Sequence, residues 1–518
     1  MRKDTGMSGN EKSIIIIGGG VSGLAAGCYA GMNGYKANIF EMHNIPGGLC
    51  TSWKRKGYTF DFCIDWMGGL NPDELDHNIW RELGVLKNKK KVFFEEFLNI
   101  RDRDGRYWKL YADPEKLRVE LLKLTYYDED KEKINSLCDA IGNFIKSPAF
   151  SCNKPDILQN RVDMLKMAFK YKACFKDMMK YSTTLIRDFY NSIKDPRLKE
   201  IVRHIYLTPD IPFCMIPPIY TLTNLYKKNM GYPEGGSMEL ARSLEARFKG
   251  LGGEIQYRAK VKKILVENNK AIGIQLEDDS LHYAGNIISA CDAYTTIYKL
   301  LEGKYINNYI EKMYKEGSVC PSMLRVYLGV DMDFKDQPDN VVYKLNKLLE
   351  IPGLIQKDDN SMLIRHYCNT EPAYAPPGKS VLVGIFLAEY DYWKEISGDR
   401  ELYLKAKEKA ASEVIRELEN IYPGIGNKIE VTDVTTPITI ERYTGNYKGS
   451  IQGFVEDETR LKEWLNKAGG MTMTGLENFY MIGQWVTLQG LLRVAGGGRY
   501  AIENLCKKEG RKFITQTA

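Results

Sequence analysis

Three glycines and one carboxylate near the start of the chain have the types and spacing to hold a phosphate-bearing ligand. Gly18, Gly20 and Gly23 stand in the order G-x-G-x-x-G, and Glu41 follows eighteen residues after Gly23. The first glycine permits a tight turn, and the second lets backbone approach a pyrophosphate. The third lets a helix pack close against a strand. Val21 and Ser22 fall between them, where unpaired N–H groups and the positive end of a helix dipole would meet phosphate oxygens. Glu41, with Met42 beside it, stands where a carboxylate accepts hydrogen bonds from a ribose diol.

That chemistry needs a strand before the glycines and a helix behind them. The stretch "SIIIIGGGVSGLAAGCYAGMNG" (13–34) carries no charged side chain from Ile14 to Met32, a length that could cross a bilayer. Its isoleucine run is only four long and β-branched, and six glycines follow at once. A buried parallel strand fits that pattern better than a membrane helix. "LAAGCYAGMNG" then predicts a helix of small residues that stops at Gly34, and "YKANIFE" (35–41) a second strand finishing on Glu41. The sum is a βαβ dinucleotide unit.

At 518 residues the chain predicts two or three domains. Hydrophobic residues make up 44% and charged residues 27%, with a net charge of +6, so nothing argues for nucleic acid. The run "KNKKK" (87–91) reads as a solvated loop or a contact for an anionic surface. Eleven cysteines are scattered singly without a C-x-x-C pair, which favours a reducing compartment. The five histidines lack metal-ligand spacing, so no metal is expected. The polar start of the chain has no secretory pattern, and a cytoplasmic protein is expected.

Further motifs specify the dinucleotide. "EMHNIPGGLCTSWKRKGYTFDFCIDWMGG" (41–69) has a paired glycine after the acid and then G-Y-x-F-D. This pattern resembles the flavin amine oxidase superfamily, and in particular its phytoene desaturase, carotenoid isomerase and retinol saturase-like members. The resemblance implies FAD, with Gly47, Gly48 and Leu49 beside its pyrophosphate. The segment departs from the pattern in two respects: Leu49 and Cys50 stand where the usual arginine would be, and Cys63 replaces a usual glycine. A second block (232–301) is similar to the family's central segment and implies that Val261 lies against the adenine and Ala290 closes the cofactor pocket. A third, "LENFYMIGQWVTLQGLLRVAGGGRYAIENL" (476–505), resembles the terminal flavin motif. There Gly483 matches, and Gln484 replaces an acid but can still hydrogen-bond a ribityl hydroxyl or phosphate. Arg493 and Val494 open the helix that the resemblance points at the flavin's pyrimidine edge. Arg493, in place of a usual proline, would favour an anionic reduced flavin, or it turns to solvent.

The resemblance spans nearly the whole chain. It implies an α/β fold: a discontinuous Rossmann-like FAD-binding domain with a mixed-sheet and helical substrate domain. The FAD domain is expected from 12–70, 230–300 and 474–518, with the substrate domain from 71–229 and 301–473. "SMLRVYLGV", "SMLIRHYC" and "SVLVGIFLAEY" read as strands of one sheet, and "PDIPFCMIPPIY" (209–220) as a helix breaker. Helices in 130–229 that mix Met and aromatic residues with lysines suit either a core-facing stripe or docking on a bilayer surface.

In this superfamily the flavin carries the hard chemistry and the protein supplies orientation and exclusion of water. The expected function is therefore an FAD-dependent oxidoreductase acting on C–C bonds of a long, hydrophobic, unsaturated carotenoid, retinoid or lipid. A flavin-dependent isomerase without net redox change is the alternative. Amine oxidation, and a non-enzymatic lipid-binding role as in Rab GDP-dissociation inhibitors, fit less well. Asp65 is a candidate proton donor or acceptor, or else a salt-bridged brace. Arg442, with Tyr443, could reach a carboxylate or the flavin, or form an ion pair at a sheet edge. No second nucleotide motif appears, and the oligomeric state is left open.

Overall fold

The structure is a computed structural model that describes residues 12–148, 161–206, 211–355, 360–455, 472–487 and 490–517. Strand β1 (Ser13–Ile17), helix α1 (Val21–Met32) and strand β2 (Lys36–Glu41) form the expected βαβ unit. β1 sits at the centre of a five-stranded sheet, in the order Glu254–Tyr257, β2, β1, Asn286–Ser289, Phe479–Met481. Every pair in it is parallel. Parallel sheets are covered on both faces, which is why Ile14 to Ile17 are all buried.

α1 is buried almost all round, between helices α2 (Gly236–Gly250) and α3 (Leu491–Lys508). The small residues make this possible. A Cβ on Gly498 of α3 would lie only 2.8 Å from the backbone nitrogen of Ala26. The uncharged run is apolar because protein surrounds it. Among the described residues no helix is long and apolar enough to cross a membrane.

A hairpin of β3 (Ser52–Arg55) and β4 (Tyr58–Asp61) follows β2 and turns at Lys56 and Gly57, both at positive φ. The three strands expected to share a sheet do so: β5 (Ser322–Val330), β6 (Ser361–His366) and β7 (Ser380–Ala388). They lie within a seven-stranded mixed sheet that also holds Glu96–Arg101 and Tyr107–Tyr111. One face carries Leu324, Val326 and Leu328 against Ala410, Val414 and Leu418 of the helix Arg400–Ile421. The alternate residues, Met323, Arg325 and Tyr327, point the other way.

The expected helix break is present, since residues 211–215 are non-helical between the helices Pro196–Arg203 and Ile216–Tyr226, but it ends before the paired prolines. Pro217 and Pro218 do not break a helix; they occupy the first turn of the helix Ile216–Tyr226. A first-turn residue has no intrahelical acceptor for its N–H, so proline costs nothing there. Residues 209 and 210 of that stretch lie outside the described residues.

The sheet's far side holds a buried histidine. His366 faces Phe334 and meets the Tyr343 hydroxyl at 3.2 Å. Burial pushes it down to about 3. An imidazole less basic in the folded than in the unfolded chain contributes stability at pH values above the ordinary 6.5, and that contribution shrinks as pH falls from 6.5 towards 3. Urea titrations should therefore show a loss of about 2 kcal/mol from this group between pH 7 and pH 5. His366→Gln should flatten that part of the profile; an unchanged profile would show that His366 is not its source.

Candidate functional site

The Gly18 turn is built as its sequence requires. Gly18 has φ of +101°, its N–H donates to the Phe40 carbonyl (2.8 Å), and Ala290 packs over it at the end of the adjacent strand. A Cβ on Gly23 would lie 2.1 Å from the Gly18 carbonyl oxygen, so Gly23 serves the close contact of helix and strand. Gly20 is extended (φ −71°, ψ 176°) and a Cβ there would meet nothing nearer than the Gly47 carbonyl at 3.8 Å.

Glu41 braces this turn. One carboxylate oxygen accepts the Gly19 N–H (2.6 Å) and the other the His43 N–H (2.8 Å). The Gly47 N–H donates to the Gly19 carbonyl (2.9 Å), which seats the Gly47–Gly48 turn on the glycine motif. Behind that turn the buried Asp61 accepts from the Ser237 N–H (2.8 Å), the Ser237 hydroxyl (2.5 Å) and the Tyr374 hydroxyl (2.8 Å). Burial pushes the Asp61 carboxyl up and these bonds pull it back. The acid of G-Y-x-F-D thereby ties the hairpin to the start of α2.

All these elements open onto one cavity of about 1200 Å³. Gly18, Gly20, Val21 and Ser22 line it, as do Glu41, Met42, Gly47, Gly48 and Leu49. So do Val261 and Ala290, and from the last block Gly483, Gln484, Arg493 and Val494. Gly23 alone of the expected binding residues stands behind the wall. The buried Ser22 hydroxyl makes no hydrogen bond within the protein, although it sits at the start of α1 where phosphate oxygens would need a donor. Together with the open face of Gly20, it makes the cradle fit a pyrophosphate.

Arg493 is half-buried and stacks over the Tyr220 ring at 5.5 Å, so it belongs to the cavity wall and not to solvent. From there the cavity runs between apolar side chains, including Phe175, Met178, Phe213, Ile216 and Tyr220.

The two candidate catalytic groups are not brought together in the same way. Asp65 is in the wall, and Arg325 of β5 donates to it at 2.9 Å. Arg365 of β6 donates to its carbonyl at 2.6 Å and lies 3.8 Å from its carboxylate. Burial disfavours the charged Arg325, but Asp65, ahead of Tyr327 and Tyr367, outweighs that and leaves the guanidinium above its usual range. Arg442 stands on a helix, Pro437–Thr444, and not at a sheet edge. It is exposed and stacks on Tyr443, whose ring meets His43 edge-on at 5.2 Å. Arg442 thus lines the rim beside the Glu41 strand. Arg325 and Arg365 were not expected from the sequence. The available signal was a guanidinium inside each of the apolar runs "SMLRVYLGV" and "SMLIRHYC", since a buried charge requires a partner. Asp292 also went unnoticed; it accepts the Thr295 and Tyr447 N–H groups at 2.7 and 2.9 Å and fixes the loop after Ala290.

Residues 16–83 match the model of an NAD(P)-binding Rossmann-like domain. The chloroplastic prolycopene isomerase of Daucus carota is 26% identical over 85% of this chain and 71% of the relative. A 1-hydroxycarotenoid 3,4-desaturase of a Flavobacterium is 26% identical over 85% and 88%, and the all-trans-retinol 13,14-reductase of Danio rerio 24% identical over 92% and 83%. Over most of its length the chain is thus similar to carotenoid isomerases, carotenoid desaturases and a retinol reductase. Solved structures agree on the fold. Putrescine oxidase superposes with a TM-score of 0.63 at 13% identity, covering 96% of this chain and 99% of that one. The cyclohexylamine oxidase of Brevibacterium oxydans gives 0.61 at 12%, covering 97% and 100%.

Proposed function

We propose that this protein is an FAD-dependent oxidoreductase that acts on C–C bonds of a long, hydrophobic, unsaturated substrate of the carotenoid, retinoid or unsaturated-lipid class. The observation that carries this is the single cavity, polar at the glycine motif and apolar beyond Arg493. Its two ends suit a dinucleotide and a chain without polar handles. FAD is favoured over a nicotinamide because Gly47, Gly48, Gly483 and Gln484 extend the dinucleotide cradle along the same wall. Bound there, the flavin would supply hydride transfer. The residues of the chain bind its phosphates through Ser22 and the start of α1, orient it through Glu41 and the paired-glycine turn, and keep water from the apolar end. Asp65 is the carboxylate available to a proton there, and Arg442 serves the nucleotide rim.

The substrate reaches the cavity from a bilayer surface. Leu165 and Phe169 are 70% and 79% exposed on the helix Arg161–Lys170. The next helix, Phe175–Ser182, exposes Met179 and lines the cavity with Phe175 and Met178. Exposed Lys166, Lys172 and Lys176 flank these apolar tips, the arrangement of an interfacial helix pair.

The purified protein should carry stoichiometric FAD, released on denaturation. Incubated with candidate chains dissolved in anionic vesicles, it should yield a product two mass units from its substrate. Isomerisation, the reading favoured by the similarity to prolycopene isomerases, would give a product of unchanged mass and altered retention. A colourless protein with no flavin would overturn both.

A further inference from the structure

Two cysteines at which this chain departs from the family pattern are brought close together. Cys50 stands at the arginine's place and Cys63 at the glycine's, thirteen residues apart. The β3–β4 ladder sets Ser52 opposite Asp61 and Trp53 opposite Phe60. One step outward, the Phe62 N–H donates to the Thr51 carbonyl at 3.1 Å. One residue further out, beyond the last paired residues, stand Cys50 and Cys63, and the Cys63 side chain neighbours that of Cys50. A ladder continued by two residues would set them at a non-hydrogen-bonded position, where Cα atoms lie about 4.5 Å apart. That spacing is within the span of a disulfide, about 4.4–6.8 Å.

We propose that Cys50 and Cys63 form a redox-active dithiol in the wall of the cofactor cavity, which a peroxide closes to a disulfide. Both residues line that cavity. Cys50 is buried and its thiol donates to the Ser237 carbonyl at 3.3 Å, whereas Cys63 is half-buried and more open to a small oxidant. The neighbouring Cys63, ahead of burial, pushes the Cys50 thiol well above its ordinary range. Cys63 is therefore the attacking thiol and Cys50 the resolving one. The Cys63 thiolate attacks one peroxide oxygen, the O–O bond breaks, and Cys63 becomes a sulfenic acid as one water leaves. The Cys50 thiol then attacks the Cys63 sulfur; the S–S bond forms, the S–O bond breaks, and the hydroxyl leaves as a second water with the proton that Cys50 gives up. In sum, two thiols and hydrogen peroxide give one disulfide and two waters, with two electrons passing from sulfur to oxygen. The new bond fastens the segment just after the Gly47–Gly48 turn to the end of β4, so the oxidised protein grips a bound dinucleotide with a more rigid turn. This inference does not depend on the substrate assigned above.

Lys54, Arg55 and Lys56 lie between the two cysteines, so trypsin separates them into peptides 37–54 and 57–81. The protein as purified, treated with a small excess of hydrogen peroxide and then blocked with N-ethylmaleimide, should yield these peptides joined and two hydrogens lighter than their sum. Dithiothreitol should release them. In Cys50→Ser the joined species should vanish and Cys63 should accumulate as a dimedone-reactive sulfenic acid. Persistent maleimide labelling of both cysteines, or oxidation of Cys63 to sulfinic acid with no joined peptide, would overturn the proposal. The mapping of the unmutated protein decides the matter even where a variant fails to fold.

Discussion

Gly20→Val yields a folded protein that has lost its cofactor. At this position the backbone is extended and a Cβ would meet protein only at 3.8 Å, so the chain itself accommodates a side chain. What a side chain there obstructs is the space over the start of α1, where the Ser22 hydroxyl and the first N–H groups await phosphate oxygens. The expected result is an unchanged far-ultraviolet spectrum and urea midpoint, with FAD affinity lower by roughly a hundredfold or more, about 3 kcal/mol. Gly23→Ala is the contrasting control. Its Cβ would stand 2.1 Å from the Gly18 carbonyl, so it should lower the folding yield itself. If the valine variant retains stoichiometric FAD, the glycine motif is not the pyrophosphate site and the proposed function falls.

The second large effect is expected at Asp65. Asp65→Ala removes the carboxylate that faces two guanidinium groups, Arg325 with 5% and Arg365 with 0% of its side chain exposed. Leaving such charges without their partner costs about 3–5 kcal/mol, visible as a lower urea midpoint at unchanged slope. The rings of Tyr367 and Tyr232, at 4.7 and 5.4 Å from Arg365, offset only part of that loss. Asp65→Asn keeps an acceptor for Arg325 and should lose less. If Asp65 also exchanges a proton with the substrate, as proposed, the asparagine variant should bind FAD normally yet turn over roughly a hundredfold more slowly. Turnover within a few-fold of the parent would leave Asp65 as a brace between the hairpin and the seven-stranded sheet.

The chemistry of the dinucleotide cradle was legible because it is local. Gly18, Gly20, Gly23 and Glu41 lie within one βαβ unit, and each type answers a local requirement of that turn that spacing alone expresses, for Glu41 the bonds to the Gly19 and His43 N–H groups. The four-residue isoleucine strand and the small-residue helix followed from the same stretch, and so did the rejection of a bilayer span. Strands β5, β6 and β7 were legible as apolar runs, although periodicity could not say which residues faced the helix Arg400–Ile421 and which faced inward.

Only tertiary structure decided which distant side chains meet. Asp65 and Arg325 are 260 positions apart and Asp65 and Arg365 are 300 apart, so nothing in local spacing pairs them. The setting of Arg442 stayed open for a related reason: "TTPITIERYTGN" forms a helix through the Thr436 cap and the first-turn Pro437, and that helix carries Arg442 to the rim beside His43. Cys50 and Cys63 looked like separate departures from a motif until the open end of one hairpin brought their side chains together. By itself the sequence determined the cofactor class, through residues whose function is set by their own backbone turn. The fold decided the neighbours of every buried charge and thiol, because a charge in a strand or a cysteine in a ladder acquires its role from what the packing of other segments places beside it.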